Sequence, residues 1–406
     1  MKNFTRLQVN RKGELAAKQG HPWVYGAEIV KVDGSYQTGD LVHVYSEKRK
    51  YIGTGFVNDI SKIRVRLISS NANDIFDEAF WKRRVTYAIA YRETVMGEDF
   101  SSCRLIFGDA DQMPGLTVDL YTDILVCQSL CYGMDKIKDI IFKAIIEVLQ
   151  TKGIHIRGIY ERNDVKVREL DGLPMYKGWY KADYIDTPDS TFISIKENDI
   201  LYEVDIEDGQ KTGFFLDQKY NRRCVAKLAK GKHVLDCFTH TGAFALNMGK
   251  GGAARVDAID ASAEAIAMTM KNIQQNQLSH IVFPKQANVF ELLSELVETK
   301  NHDYDFIILD PPAFTKSGRT VAHAIRGYKE INMKAMRLLP RGGYLATCSC
   351  SHFMKEELFC RMLKDAAKDA HVQLRQIEAR QQSPDHPILW SVPETNYLKF
   401  YVFQVV

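Results

Sequence analysis

Two short segments carry residue types that could do covalent chemistry: Asp310-Pro-Pro-Ala-Phe314 and Thr347-Cys-Ser-Cys-Ser351. Each follows an apolar run that reads as a buried strand, Tyr304–Leu309 before the first and Gly343–Ala346 before the second. In an open α/β sheet, ligands bind just beyond the carboxyl ends of the strands. An acid followed by two rigid prolines would therefore face the same crevice as a pair of thiols. A thiolate can add to a planar ring, and a neighbouring carboxylic group can hold the ring edge, so the pair points to nucleophilic catalysis beside a bound cofactor.

The cofactor pocket is read from Val234-Leu-Asp-Cys-Phe-Thr-His-Thr-Gly-Ala-Phe244, a strand, a turn and a helix start. Only Gly242 lies in the turn, so this is not the Gly-x-Gly-x-x-Gly dinucleotide fingerprint, and no Gly-Lys-Ser/Thr of a phosphate loop follows. The turn carries an acid, Asp236, where a phosphate loop would avoid one. An acidic turn suits a cofactor with positive charge and no phosphate, as in S-adenosylmethionine with its ammonium and sulfonium. The next strand ends at Asp260, 24 residues beyond Asp236 (260 − 236), where a carboxylate can accept both ribose hydroxyls. Asp260 or Ser262 could equally cap the helix that follows.

These segments need elements to position them. Strand His233–Asp236, helix Ala243–Lys250, strand Arg255–Ile259 and helix Ala263–Gln275 alternate, and further strands are expected near Ile281–Pro284, Phe306–Asp310 and Tyr344–Thr347. Such alternation predicts a doubly wound parallel sheet, a Rossmann-like α/β domain over residues 189–406 that opens on a hairpin at Phe192–Asp205. Residues 1–70 read as a small all-β barrel, with strands at Asp40–Tyr45, Tyr51–Phe56 and Ile63–Ile68 separated by turn residues. Residues 71–188 read as a central α+β domain, with helices over about Phe76–Val95 and Asp135–Thr151.

At 406 residues the chain is long enough for two or three domains. The start, Met1-Lys-Asn-Phe-Thr-Arg6, lacks the apolar core of a signal peptide, and no apolar run approaches a bilayer span, which points to the cytoplasm and away from membranes. The eight cysteines show no Cys-x-x-Cys pair or ligand cluster, so neither a disulfide framework nor a metal site is expected. Cys127 and Cys131 read as buried strand thiols. Net charge is only +3, yet residues 1–70 carry twelve Lys and Arg, among them Lys48-Arg-Lys50, against six Asp and Glu. That local excess fits either a phosphate-binding surface or a solvated face.

Taken together, Asp236-x-Phe238-x-x-Thr241-Gly242-x-Phe244, Asp260-x-Ser262, Asp310-Pro-Pro-x-Phe314 and Cys348-Ser-Cys350-Ser351 resemble the class I methyltransferases of the RlmI type, which are 23S rRNA (cytosine-5-)-methyltransferases. Gly209–Gln218 with Asn221 and Arg222, Arg326–Asn332, Asp385-His-Pro-Ile388 and the N-terminal Gly20-His-Pro-Trp-Val-Tyr25 are similar to further segments of that family. The resemblance spans nearly the whole chain. It implies an N-terminal PUA domain that binds RNA, a central α+β domain and a Rossmann-like catalytic domain. It also implies that Asp217, Gln218, Asp236, Phe238, Thr241, Gly242, Asp260, Asn288 and Asp310 surround S-adenosylmethionine, and that Pro311, Pro312 and Phe314 meet the target base in ribosomal RNA. Two positions depart from the family pattern. Asn288 stands where an acid is usual, and two cysteines stand where many relatives have one.

Carbon 5 of cytosine is a poor nucleophile, and a thiolate on carbon 6 would activate it. Either cysteine could act. Cys350, seven residues after Gly343 and beyond the apolar strand, is the expected nucleophile, with Cys348 packed and Asp310 at the cytosine edge. A methyltransferase acting on a purine nitrogen would need no thiol, and a non-catalytic RNA-binding protein would need none of these residues. The sequence chemistry leaves open the target nucleotide, the choice between ribosomal and transfer RNA, and the choice between monomer and homodimer.

Overall fold

The computed structural model describes residues 4–315 and 318–406. Contacts divide the chain into two compact units: Met1–Ser194 with Val204–Leu216 and Pro384–Thr395, and Ile195–Glu203 with Asp217–Ser383 and Asn396–Val406.

The first unit holds two sheets. The N-terminal one has six strands, in the order Trp23–Tyr25, Ile63–Ser69, Tyr51–Val57, Leu41–Ser46, Thr5–Val9, Ile29–Asp33. Alternating residues Leu7, Val9, Val42, Val44, Val57 and Val65 point inward as its core. The expected β unit is therefore present as a six-stranded sheet, with three strands that sequence patterning did not resolve and one helix, Arg11–Lys18, that it read as β structure. That helix is capped by the Asn10 side chain, which accepts from the Gly13 amide at 3.1 Å. Gly55 is obligatory in this sheet: a Cβ there would lie 2.3 Å from the Arg66 carbonyl oxygen. The second sheet has five strands, ordered Tyr176–Trp179, Gly158–Asn163, Ile124–Ser129, Leu116–Tyr121, Ser102–Phe107, with helices Glu78–Met96 and Lys138–Gln150. The helix expected over Asp135–Thr151 is broken at Ile137, between Tyr132–Lys136 and Lys138–Gln150. Cys131 falls outside the strand that holds Cys127 and begins the shorter helix, and both thiols are buried.

A buried ionic knot ties the first unit together. Arg104 donates twice to Asp119, both at 2.8 Å, and the Thr212 hydroxyl donates to the same carboxylate at 2.5 Å. The Arg104 amide donates to Asp385 at 2.9 Å, and Asp385 also accepts from His386. The Asp385-His-Pro segment thus serves this unit as a structural clasp.

The second unit is built on seven strands, labelled here β1 His233–Cys237, β2 Arg255–Asp260, β3 Val282–Gln286, β4 Phe306–Leu309, β5 Tyr344–Ser349, β6 Leu374–Arg380 and β7 Lys399–Val405. Their order is β3-β2-β1-β4-β5-β7-β6. Strands β1 to β5 are parallel, as expected, and β7 runs antiparallel between β5 and β6. The antiparallel pair was not legible in the sequence, because Lys399-Phe-Tyr-Val-Phe-Gln-Val405 reads equally as a buried strand of either direction. The chain leaves β1 toward β2 on one side, and β4 returns on the other. This is the topological switch point at which open α/β sheets bind ligands.

Candidate active site

Parallel register delivers the candidate residues to one end of this sheet. Cys237 of β1 pairs with Leu309 of β4, and Leu309 pairs with Thr347 of β5. The residues just beyond, Asp310 and Cys348, are therefore neighbours, and the Cys348 thiol donates to the Asp310 carboxylate at 2.8 Å. Strand β5 extends to Ser349, two residues beyond the expected end at Thr347, so Cys348 sits inside the strand and is fully buried. Burial first, then the adjacent Asp310, pushes the Cys348 thiol well above the ordinary range, so it stays protonated. Cys350 lies past the strand end and is partly exposed.

The serines of the same segment hold it in place. Ser349 donates to the Tyr328 hydroxyl at 3.0 Å, and Ser351 donates to the Thr315 carbonyl at 2.9 Å, which ties the cysteine segment to the Asp310-Pro-Pro loop. Gln218 is buried and joins the Asp310 loop to the cysteine segment: its amide donates to Asp310 at 3.2 Å and to the Cys348 sulfur at 3.5 Å, and its carbonyl accepts from Asn221 at 2.7 Å. Asp217 is buried beside it and accepts from the Tyr397 hydroxyl at 2.6 Å. Behind Asn221, the fully buried Arg222 makes a two-point ion pair with Glu197, at 2.6 and 2.8 Å. Asp217 and Gln218, on the short 3-10 turn Leu216–Gln218, gain a position from the fold that sequence alone could not assign.

The turn after β1 is tightly wound. Phe238, His240 and Gly242 all adopt positive φ (64°, 52° and 81°). For bulky residues this conformation is uncommon, and such strain collects at ligand sites. At Gly242 a Cβ would lie 2.8 Å from the Thr269 side chain. Asp236 is completely buried: one carboxylate oxygen accepts from the Thr239 hydroxyl at 2.6 Å and the Ala245 amide at 2.9 Å. The other oxygen, and the Thr241 hydroxyl, have no hydrogen-bond partner among the described residues. Burial, helped by the nearby Asp310 and Asp260 charges, raises the Asp236 carboxyl to about 7. Asp260 accepts from the His240 amide at 2.9 Å and the Ser262 amide at 3.0 Å, so it fastens the two turns to each other. The helix cap itself is Ser262, whose side chain accepts from Ala265.

This donor set fits S-adenosylmethionine. An orphaned, buried carboxylate oxygen and two further acids at a switch point favour a cationic ligand and disfavour a phosphate.

The remaining expected residues are placed less centrally. Asn288 is an exposed helix cap: it accepts from the Phe290 amide at 2.9 Å and donates to Glu291 at 3.3 Å. Pro311 is buried and Pro312 exposed. Phe314 packs among aromatics, 4.6 Å from the Tyr328 ring centroid and 5.7 Å from that of Phe290, rather than standing clear as a stacking platform. Sequence reading missed Lys399 at the start of β7, a buried cation whose Nζ donates to the Ser351 carbonyl at 2.6 Å. The available signal was a lysine opening an otherwise apolar run.

Comparison with known proteins bears on the family, the fold and the cofactor. A family model described as S-adenosylmethionine-dependent methyltransferase matches residues 175–403, and one described as a PUA-like domain matches residues 7–70. Large-subunit ribosomal RNA methyltransferase I of Shewanella denitrificans is 38% identical over 98% of this chain and 99% of its own. The protein of that name from Aliivibrio fischeri is 37% identical over 97% of both chains. This chain belongs to the large-subunit ribosomal RNA methyltransferase I family. It is thus an S-adenosylmethionine-dependent methyltransferase with a PUA-like N-terminal domain. At the level of fold, a SAM-dependent methyltransferase structure from Streptococcus mutans superposes with a TM-score of 0.80 at 22% identity, covering 98% of this chain and all of that one. A second methyltransferase structure, SMU.776 complexed with SAH, superposes with a TM-score of 0.82 at 21% identity over the same shares. Among the described residues, no cluster of three or more His, Cys, Asp or Glu could hold a metal, and no helix is long and apolar enough to cross a membrane.

Proposed function

We propose that this methyltransferase modifies carbon 5 of a cytosine in large-subunit (23S) ribosomal RNA through a covalent bond to Cys350. The observation that carries this reading is the division between the two thiols. Cys348 is buried and held protonated on Asp310, while Cys350 sits past the strand end with solvent access. The ribosomal RNA substrate is supported by the names of relatives that match over the full chain.

The residues of this chain divide the work as follows. The Cys350 thiolate adds to carbon 6 of the ring, and the 5,6 double bond becomes a nucleophile at carbon 5. Bound S-adenosylmethionine supplies an electrophilic methyl on a sulfonium. Carbon 5 takes that methyl and S-adenosylhomocysteine departs. A base then removes the carbon-5 proton, the double bond re-forms, and the Cys350 sulfur leaves. In this reading Asp310 holds the ring edge at its amino group or nitrogen 3, and the contacts from Gln218 and Cys348 to its carboxylate support that role. Asp236 and Thr241 hold the cofactor's charged end, and Asp260 its ribose. The basic face of the N-terminal barrel, Lys48-Arg-Lys50 among others, contacts RNA phosphates.

The test uses RNA whose target cytosine carries fluorine at carbon 5. The final proton is then missing, so the enzyme should remain attached to the RNA as a band that survives denaturing electrophoresis. Cys350→Ser should form no adduct, since an alkoxide is far harder to generate than a thiolate. Cys348→Ser should still form it. An adduct that persists in Cys350→Ser and disappears in Cys348→Ser reverses the two roles. Methylation with no adduct in any variant would instead indicate direct transfer to a nitrogen.

A further inference from the structure

Lys399 opens β7 directly opposite Ser349 of β5, one residue before Cys350. Its side chain is buried, and its ammonium donates to the carbonyls of Ser351 at 2.6 Å and Tyr397 at 2.7 Å. An ammonium has three N–H donors, so one is uncommitted among the described residues. No carboxylate pairs with it there. The acid that acts on it, Glu356, is engaged by the Tyr401 hydroxyl. A buried cation without an anion is costly, and native proteins resolve such a cost with a counter-charge.

The other groups that act on Lys399 electrostatically are the two cysteines. Cys348 cannot supply the anion, because its proton is held against Asp310. Tyr328, which faces the segment from helix Val321–Leu338, is a neutral phenol pushed further from ionisation by burial. Cys350 is left as the group whose ionised form would complete the pair.

We propose that Lys399 is the positioning cation of this site, holding Cys350 as a thiolate just past the end of β5, beside the Ser351 carbonyl that anchors the ammonium. This rests on the reading of Cys350 as nucleophile and adds its means of activation. The Cys350 proton leaves to solvent, and the product is an ammonium–thiolate pair. Burial draws the Lys399 ammonium down to about 8, still protonated at neutral pH. Attraction within the pair lowers the cysteine and raises the lysine.

The pair can be tested without RNA or methyl transfer. In the full-length protein, alkylation of Cys350 by iodoacetamide is followed by peptide mass spectrometry between pH 5 and pH 10. The wild-type midpoint should lie about one pH unit or more below the ~8.5 of a free cysteine. Lys399→Met should move it up by about one unit, a roughly tenfold slower reaction at pH 7, and Lys399→Arg should restore most of the difference. An unchanged midpoint in a folded Lys399→Met, or in Lys399→Gln if the former does not fold, overturns the proposal. A wild-type midpoint at or above the free value does so with no variant at all. The fluorocytosine adduct judges the underlying reading separately. A shifted midpoint without an adduct keeps the ion pair and removes the cytosine mechanism, and an adduct without a shift does the reverse.

Discussion

Cofactor affinity should depend on pH through Asp236, and the size of the effect follows from its surroundings. The carboxyl is fully buried; burial is the largest influence, opposed by the Thr239 and Ala245 hydrogen bonds and reinforced by Asp310 and Asp260, and the result is about 7 instead of the ordinary 3.8. A carboxylate whose folded value lies above its unfolded value keeps its proton in the native state between about pH 4 and 7, where the unfolded chain has lost it. The cofactor-free protein therefore loses stability as pH rises through that window, by up to about 4 kcal/mol from this group. Only the ionised form offers its orphaned oxygen to an ammonium as a charge. The ionised fraction climbs from ~0.1 at pH 6 to ~0.9 at pH 8, so apparent affinity for S-adenosylmethionine should rise about tenfold, or ~1.4 kcal/mol. Isothermal titration calorimetry at pH 6, 7 and 8 measures this, and buffers of different ionisation enthalpy should reveal close to one proton released per cofactor at pH 6. Titration of the ligand's own amine is common to wild type and Asp236→Asn, so their ratio isolates the side chain. A wild-type to Asp236→Asn ratio that stays constant from pH 6 to pH 8 would refute the assignment of Asp236 to the cofactor's cation.

The buried Arg104–Asp119 pair makes a second expectation. Asp119→Asn leaves the Arg104 guanidinium uncompensated and weakens the Thr212 contact, so unfolding of the first unit in urea should cost about 3–5 kcal/mol less than in wild type. A change below ~1 kcal/mol would show that the guanidinium finds water or another partner. On the barrel, neutralising the exposed Lys48, Arg49 and Lys50 to Gln should weaken RNA binding and flatten its salt dependence by about 0.7–0.9 in log–log slope per lost phosphate contact, while cofactor affinity stays unchanged. An unaltered salt slope would take this turn out of the RNA contact.

Much of the catalytic unit was legible because its signals are local. Alternating strand and helix patterns identify a parallel sheet, and an acidic turn with a single glycine separates this cofactor loop from phosphate loops, since both depend on residues within a few positions of each other. The placement of Asp310 and Cys350 beyond their strands followed from the same rule. Which of Asp260 and Ser262 caps the helix was decided only by the fold: Ser262 is the cap, and Asp260 joins two turns from different strands.

What the tertiary structure alone decided depends on contacts between distant residues. Gln218 meets Asp310 and Cys348 across 92 and 130 positions of chain. The Pro384–Thr395 segment packs with the first unit although it follows the sixth strand of the second. The different settings of the two cysteines rest on strand register, because Leu309 opposite Thr347 sets Cys348 against a carboxylate and leaves Cys350 past the strand end. Lys399 reaches that edge only because β7 runs antiparallel to β5, which brings the start of one strand to the end of the other. Periodicity along a chain reports which face a residue occupies, but not which strand lies beside it or in which direction it runs. The protonation of a thiol and the charge of a buried lysine are set by those neighbours.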